Sequence, residues 1–489
     1  MRTTLSVSLI ALLSALAEPA QALNLLEAYD LAVRNDPSLQ QAAAARQAVM
    51  EAKPQSLSRL LPAISAQGTV TDVNQNSKTT FIPGQSGVVD SFWNVGINLN
   101  MQQPVYHHDY WVRLGQADSQ IAQAQAEYAA EEQSLVTRTV NAYLFVLAGE
   151  DNLRFSTMEK EAIARQLEQA QQRFEVGLIA ITDVHEAQAA YDQAVASEIE
   201  AQQVLDDKRE ALREIVAEPV EAIVPLAEEM PLLTPEPAGI DEWNNKALES
   251  NPNVIAADYA VEVARKEIDA QRAGHYPTLD LVSQFSALDS SRDTPSTDES
   301  GNPITRKLGP RSETATVGLE LNIPIFQGGF VNSRTREAGF RLEAAQQGLD
   351  KQRRATVRAV KDAYRGVRSS IERVHALKSA VVSSQSALEA AEAGMEVGTR
   401  TMVDVLAEQR NLYRAMRDYA RARYDYVNNG FLLRQAIGAL NRDDVETANR
   451  WMQYPEPTPP KTEAQQPESA TDAPQPEGAN NAPEPGPAY

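Results

Sequence analysis

Apolar residues recur at intervals of seven through a long part of the second half of the chain that contains no proline. The main series consists of Val360, Val367, Val374, Val381, Leu388 and Met395, and a companion series three residues earlier consists of Val357, Tyr364 and Ile371. This spacing is the a/d seam of a left-handed coiled coil. As helices, the proline-free stretches 106–174 and 330–395 would each extend on the order of 100 Å, so the pattern predicts two very long helices.

Each predicted long helix is followed by a glycine in a similar short sequence, Gly177 in one half of the chain and Gly398 in the other. Glycine is favoured where a helix ends in a residue of positive φ, so both positions predict tight turns. The chain then resumes a helical pattern near Thr182 and Thr401. Each half is therefore predicted to contain a long antiparallel helical hairpin.

Shorter segments alternate between apolar and polar residues with a period of two. The apolar positions are Val95, Ile97, Leu99 and Met101 in residues 93–101, and Ala315, Val317, Leu319, Leu321 and Ile323 in residues 313–323. The segment after Pro277 shows the same alternation and the segment after Pro62 a weaker one. They complete four predicted strands, each with one face in an apolar medium. Polar connections at 76–89 and 289–311 predict exposed loops. An ordinary half-buried antiparallel sheet fits the alternation equally well. Because the stability of an isolated two-stranded hairpin is marginal, we expect the chain to oligomerise or the strands to pack on helices.

The two halves of the chain form an internal repeat. Asp36-Pro37 corresponds to Asn251-Pro252, and Val176-Gly177 corresponds to Val397-Gly398. The predicted organisation is a signal peptide at 1–22, a first repeat at 23–217 (strands about 62–103, helical hairpin about 105–217), a linker at 218–239, a second repeat at 240–454 (strands about 277–325, helical hairpin about 328–441) and a tail at 455–489. The predicted fold class is mainly α with a small antiparallel β part.

The composition narrows the classes of function. The 489 residues carry a formal net charge of -22, which argues against nucleic-acid binding because attraction to phosphates requires clustered lysine and arginine. A mean hydropathy of -0.40 excludes a bundle of membrane-spanning helices. Because cysteine is absent, we expect no disulfide, no thiolate nucleophile, no cysteine-ligated zinc and no lipid-anchored N-terminal cysteine.

The two ends differ from the body. Arg2, an apolar run at 5–16 and the A-x-A sequence Ala20-Gln21-Ala22 have the order of a secretory signal peptide. The tail at 455–489 is rich in proline and glutamate. Such a segment cannot offset the entropy of ordering by burying apolar surface, so it is predicted to be disordered.

At the level of motifs, the sequence resembles the TolC family of outer-membrane ducts. The stretches that carry the resemblance are residues 176–184, 274–280, 318–329 and 392–405. The resemblance implies a homotrimer in which each protomer gives four strands to one 12-stranded barrel in outer-membrane lipid and helical hairpins to an α-barrel in the periplasm. It further implies export of drugs, toxic small molecules or proteins, in multidrug efflux and type I secretion. The implied partners are a periplasmic adaptor protein and an inner-membrane transporter of the RND, ABC or MFS type.

The resemblance also implies a latch at the periplasmic aperture. Arg400 matches a family arginine that bonds to a Thr-Asp pair on a neighbouring helix, here Thr182 and Asp183. A directional, charge-assisted pair of this kind can hold two helices together. Thr182 and Asp183 are also good N-cap and first-turn residues of a helix, and both roles can hold at once.

Asp404 matches a family aspartate in a ring that constricts the entrance and favours cations. It also suits a helix N-terminus. Two positions depart from the family: a second aspartate is replaced by Ala407, and a latch tyrosine by Met395. The glycine turns Gly177 and Gly398 are the implied tips at which an adaptor docks.

No catalytic residue, metal site or cofactor is expected. The five histidines are scattered, and no P-loop or nucleophile elbow is present. A periplasmic coiled-coil adaptor or scaffold is the alternative function; it would explain the heptads but not the four alternating strands. A simple porin would need many more strands in each chain.

Overall fold

The computed structural model describes residues 22–77 and 88–452, with side chains described outside 75–77, 88–91, 291–297 and 305–308. The predicted signal peptide, except its last residue, and the predicted tail lie outside the described residues. In the described residues, ten α-helices and five strands follow one another in the order α1 (Leu25–Asn35), α2 (Pro37–Met50), α3 (Ala52–Ser58), β1 (Ala63–Ser77), β2 (Val88–Tyr106), α4 (His108–Glu175), α5 (Ile181–Val216), α6 (Ile240–Ser250), α7 (Pro252–Arg272), β3 (Thr278–Thr297), β4 (Pro303–Leu308), β5 (Arg311–Asn322), α8 (Phe330–Glu396), α9 (Met402–Ala436) and α10 (Arg442–Asn449). A short 3-10 helix, Ala273–His275, follows α7.

The predicted long helices are confirmed. α4 contains 68 residues and α8 contains 67, so each is about 100 Å long. The heptad seam faces the interior, because Val360, Val367, Val374 and Leu388 are all buried. α4 pairs with α5 and α8 pairs with α9 as antiparallel hairpins.

The helices lie side by side in an order that changes along α4. Beside its N-terminal part the order is α2, α4, α7, α8, and beside its C-terminal part it is α5, α4, α9, α8. In both parts α8 forms one edge of the protomer. The main apolar core lies between these parts, where α1, α10 and the linker pack onto the hairpins around the buried Tyr143. The Tyr143 hydroxyl donates to the carbonyl oxygens of Leu23 (3.1 Å) and Val224 (2.8 Å), which ties the start of α1 to the linker.

The strands form one antiparallel sheet in the order β1, β2, β3, with β4 and β5 both paired to β3. The central pair joins the two halves of the chain, since β2 belongs to the first and β3 to the second. Among the described strands, the outer edges of β1 and β5 have no partner strand. β4 and β5 pair with β3 one after the other, so together they form a fourth strand of the sheet, interrupted at Gly309-Pro310, where proline has no N–H to donate.

The prediction of an exposed loop at 289–311 is wrong. β3 continues to Thr297 and pairs with β4, which leaves a short turn at 298–302. In this turn the Asp298 carboxylate accepts from the Ser300 and Asn302 N–H groups. The polar sequence is misleading because a backbone ladder does not require apolar side chains. At the other predicted loop, β1 reaches Ser77 and β2 starts at Val88, and residues 78–87 lie outside the described part.

The strand register separates the sheet into an apolar and a polar face. Opposite residues share a face, and the register pairs Leu281 with Leu319 and Leu99 with Phe285. The apolar face carries Ile64, Val70, Val95, Ile97, Leu99, Met101, Leu279, Leu281, Phe285, Val317, Leu319 and Leu321. The other face carries Ser65, Gln67, Thr69, Asn94, Asn98, Asn100, Gln284, Ser286, Thr314, Thr316 and Glu320. Much of the apolar face is exposed in the protomer.

Candidate functional site at the tips of the helical hairpins

The two hairpin tips have the same backbone geometry. Gly177 and Gly398 have φ of 74° and 76°, in the left-handed region that glycine adopts without a steric penalty. After α4, the Leu178 N–H donates to the Arg173 carbonyl at 2.8 Å, and after α8 the Thr399 N–H donates to the Gly394 carbonyl at 2.8 Å. These are Schellman turns, in which carbonyls of the last helical turn find donors. The predicted tight turns are therefore present.

Apolar side chains join the two tips. Met402 and Leu406 of α9 are buried against Ile163 and Leu167 of α4. Met395, at the position where the family tyrosine was expected, is partly buried between this cluster and a second cluster formed by α8 and α9. The thioether thus contributes packing between hairpins where a tyrosine hydroxyl would contribute a hydrogen bond.

Asp404 belongs to a capping box at the start of α9. The Thr401 N–H and the Thr401 hydroxyl both donate to Asp404 Oδ2 at 2.9 Å, and the Asp404 N–H donates to the Thr401 hydroxyl oxygen at 3.3 Å. The capping interpretation therefore holds for Asp404. The hydrogen bonds from the Thr401 backbone and hydroxyl, with a smaller contribution from the Arg400 charge, hold the pKa of the Asp404 carboxyl below its usual range. The group stays ionised and partly accessible.

Thr182 and Asp183 do not cap α5. The residue before the helix is Ala180, which has no side-chain cap, and Thr182 and Asp183 occupy the second and third helical positions. N-capping by Thr182 was a wrong prediction. A carboxylate in the first turn is still favoured there by the partial positive charge of the helix end.

Within the described part of one protomer, no hydrogen bond or ion pair joins Arg400 to Thr182 or Asp183. Arg400 and Thr182 are exposed and Asp183 is half-buried. All three lie at the same end of the hairpins, next to the turns at Gly177 and Gly398. The protomer thus brings the predicted latch residues to one end of the molecule without pairing them.

Sequence reasoning missed three features of the helical hairpins. The Arg400 side chain lies directly over Gly394. Arg417 of α9 forms an ion pair with Glu159 of α4 at 2.9 Å, and the Tyr424 hydroxyl donates to Asp151 Oδ2 at 2.6 Å. Gly394, a glycine inside a helical pattern, was a sequence signal for the close approach of the Arg400 side chain. The two pairs link residues 258 and 273 positions apart, and nothing in a single sequence indicates them.

Among the described residues, no cluster of three or more histidine, aspartate or glutamate side chains could hold a metal ion. None of the described helices combines the length and apolar character needed to cross a membrane.

The chain is similar to outer-membrane channel proteins along most of its length. The family described as Outer membrane efflux protein matches residues 28–218 and 243–439. Outer membrane protein TolC of Vibrio cholerae is 36% identical over 449 residues, which cover 92% of this chain and 98% of that protein. Alkaline protease secretion protein AprF of Pseudomonas aeruginosa is 29% identical over 442 residues, 89% of each chain.

The fold is also that of a solved channel. The Campylobacter jejuni CmeC outer membrane channel has a TM-score of 0.71 with 15% identity, covering 88% of this chain and 90% of that one. One of the two family matches lies in each half of the chain, and the antiparallel sheet distinguishes the chain from a periplasmic coiled-coil adaptor. The protein is a non-enzymatic transport protein of the outer membrane, and it belongs to the outer membrane efflux protein family that includes the TolC channels.

Proposed function

We propose that three copies of the chain form one closed channel. The observation that carries this proposal is the sheet, which has one apolar face, one polar face and two edges without a partner strand among the described residues. Open edges are not stable in lipid, where every backbone N–H and C=O needs a partner. Pairing β5 of one copy with β1 of the next satisfies both edges, and three copies close a barrel of 12 strands.

The two faces of the sheet suit a barrel of this kind. The apolar face, with Val317 and Leu319 among its most exposed residues, lies against outer-membrane lipid. The asparagine, glutamine, serine and threonine side chains of the opposite face line a water-filled lumen. The helices extend the channel from the barrel into the periplasm, and α8 of one copy packs against α2 and α5 of the next.

The exposed apolar residues at the hairpin tips support docking of a partner there. Val176, Leu178 and Val397 are 70%, 73% and 75% exposed, although each lies beside a rigid turn. A periplasmic adaptor protein that covers the turns at Gly177 and Gly398 would bury these side chains. The adaptor in turn connects the channel to an inner-membrane transporter of the RND, ABC or MFS type. The proposed cargoes are drugs, toxic small molecules and secreted proteins. The family is described as an efflux protein, and the AprF relative is named for secretion of a protease.

The same end carries the proposed gate. In the closed trimer, Arg400 of one protomer pairs with Thr182 and Asp183 of a neighbouring copy, which supplies the pairing that is absent within the described part of one protomer. An exposed ion pair of this kind contributes only about 0–1 kcal/mol, so a docked adaptor can break three of them. Three Asp404 carboxylates around the axis repel anions and favour cations at the entrance.

Engineered disulfides test the trimer, since the chain has no cysteine of its own. Pairs of cysteines are introduced along the outer edges of β1 and β5, for example at Ser65 and Thr316, and oxidised in outer-membrane fractions. We expect at least one register of pairs to give covalent trimers. The control pair at Asn100 and Gln284, which are opposite one another in β2 and β3, should crosslink only within one chain. If every edge variant gave only monomers while the control pair formed its disulfide, the closed trimer would be refuted.

A further inference from the structure

We propose that Gly394 is a positioning residue for the aperture latch: the absence of a side chain at this position allows Arg400 to lie against the end of α8 in the orientation that the latch uses. The inference rests on the proposed latch, and it adds a residue that neither touches the Thr182–Asp183 pair nor carries a charge.

The chain folds back closely over Gly394. Its carbonyl oxygen accepts from the Thr399 N–H at 2.8 Å and from the Arg400 N–H at 3.2 Å. It also accepts from the Thr399 hydroxyl at 3.1 Å. These contacts place the first atoms of the Arg400 side chain directly above Gly394.

A side chain at position 394 would collide with Arg400. An added Cβ would lie 2.7 Å from Arg400 Cγ, 3.2 Å from Thr399 Oγ1 and 3.3 Å from Arg400 Cβ. The first distance is well inside carbon–carbon contact, which has its optimum at about 3.5–4.0 Å. Cγ is the second atom of the side chain, so relief requires either rotation about χ1, which moves the whole guanidinium group, or a shift of the turn itself. Both alter the place of the Arg400 charge without removing it.

The turn does not itself require glycine at this position. In the first hairpin the equivalent residue is Arg173, whose carbonyl accepts the same Schellman hydrogen bond from Leu178 at 2.8 Å. The residue there that corresponds to Arg400 is Ile179. The backbone at Gly394 is not in the positive-φ region either. A glycine in a helix costs about 0.5–1 kcal/mol relative to alanine, so its presence is explained by the arginine above it.

The same helix provides a matched control. An alanine Cβ at Gly348 would meet nothing within 4 Å. Gly348→Ala therefore changes the helix propensity of α8 as Gly394→Ala does, but leaves Arg400 unaffected.

The experiment compares Gly394→Ala, Gly348→Ala, Arg400→Ala and the double variant Gly394→Ala/Arg400→Ala as full-length trimers in planar lipid bilayers. We expect Arg400→Ala to raise the single-channel conductance, Gly394→Ala to raise it toward the same value, and Gly348→Ala to match the wild type. The double variant should match Arg400→Ala alone, since an alanine side chain has no Cγ and the 2.7 Å contact is gone. The two remaining contacts, at 3.2 Å and 3.3 Å, need shifts of only a few tenths of an ångström. This lack of additivity separates positioning from a general weakening of the turn.

Four outcomes would overturn the inference. If Gly394→Ala has the wild-type conductance while Arg400→Ala has a raised one, the positioning role is refuted but the proposed latch is not. If the effects of the two substitutions add in the double variant, Gly394 acts on the stability of the turn and not through Arg400. Wild-type conductance of Arg400→Ala would refute the latch and the inference together. If Gly394→Ala does not assemble, restoration of heat-resistant trimers by Arg400→Ala supports the collision, and failure to restore them contradicts it.

Discussion

Arg417 Nη1 of α9 donates a hydrogen bond to Glu159 Oε2 of α4 at 2.9 Å and so ties the second helical hairpin to the first. The two side chains are 27% and 12% exposed, so the pair is shielded from solvent far more than the latch residues are. It lies farther from the turns than the apolar cluster of Met402 and Leu406. A movement that opens the tips can therefore occur while the hairpins remain joined at this pair.

Replacement of Arg417 by alanine should destabilise the protein. Glu159 would remain in a largely buried site without its cation, and an unpaired buried acceptor costs on the order of 1–3 kcal/mol. The temperature at which trimers dissociate in detergent should fall. Arg354→Ala is the control, because Arg354 and Asp350 form an i,i+4 pair that is 84% and 55% exposed, and such pairs contribute about 0.3–0.5 kcal/mol. Equal effects of the two substitutions would contradict a structural tie at Arg417.

An arginine should be tolerated on one face of β5 and not on the other. Val317 lies on the apolar face and Thr316 on the polar face. An arginine that faces lipid near the middle of a bilayer costs about 2–4 kcal/mol, whereas lumen positions tolerate charge. Val317→Arg should therefore reduce the amount of heat-resistant trimer in outer-membrane fractions, and Thr316→Arg should retain it. The reverse result would show that the face assigned to lipid lines the lumen and that the other face contacts lipid.

Cation selectivity should persist into the acid range and depend on Thr401. The pKa of Asp404 is lowered by hydrogen bonds from Thr401. The carboxylate's contribution is therefore complete above the usual aspartate pKa of about 3.9 and is lost only as the pH falls through the lower value in the folded protein. Between pH 5 and 8 the contribution of Asp404 to the reversal potential in a salt gradient should be constant.

Thr401→Ala removes the hydroxyl donor and keeps the backbone N–H, so the pKa of Asp404 should rise and selectivity should be lost at a higher pH. Thr401→Ser retains the hydroxyl and should behave as the wild type. An unchanged pH midpoint in Thr401→Ala would show that the ring of Asp404 does not set the selectivity. Asp404→Ala should abolish the acid-dependent step altogether.

The Tyr143 hydroxyl should stabilise the junction of α1 with the linker. It is fully buried and donates to two backbone carbonyls, of which that of Val224 is at 2.8 Å. Tyr143→Phe leaves these acceptors with one donor fewer, at a cost of about 1–3 kcal/mol. Protease cleavage within residues 218–239 should become faster. Tyr259→Phe, at an exposed position of α7, is the control and should leave the cleavage rate unchanged. Equal cleavage rates in the two variants would show that the Tyr143 hydroxyl does not stabilise the junction.

Local patterns were sufficient for the helical part of the fold. The seven-residue spacing around Val360 and Val367 and the glycines at 177 and 398 act through neighbours within a few residues, so one sequence contains all that they need. The strands were predicted where side chains alternate, as at Val317 and Leu319. They were missed at 289–297 and 303–308, where polar side chains conceal a ladder made by the backbone.

The candidate site was only partly predictable. The family resemblance located Arg400, Thr182, Asp183 and Asp404, and their pairing across protomers stays a prediction. The helix-capping alternative proved correct for Asp404 and wrong for Thr182, because α5 begins two residues earlier than the side chains suggest.

The sequence by itself determined the lengths of the hairpins, the places where they turn and which faces of the strands are apolar, because these depend on local spacing and backbone freedom. Only the tertiary structure decided which elements meet. It paired β2 with β3 across the two repeats, placed Arg417 beside Glu159 and laid Arg400 over Gly394. A heptad or an alternating strand specifies the face that will be buried, but its partner is chosen by packing and charge contacts between residues distant in the chain.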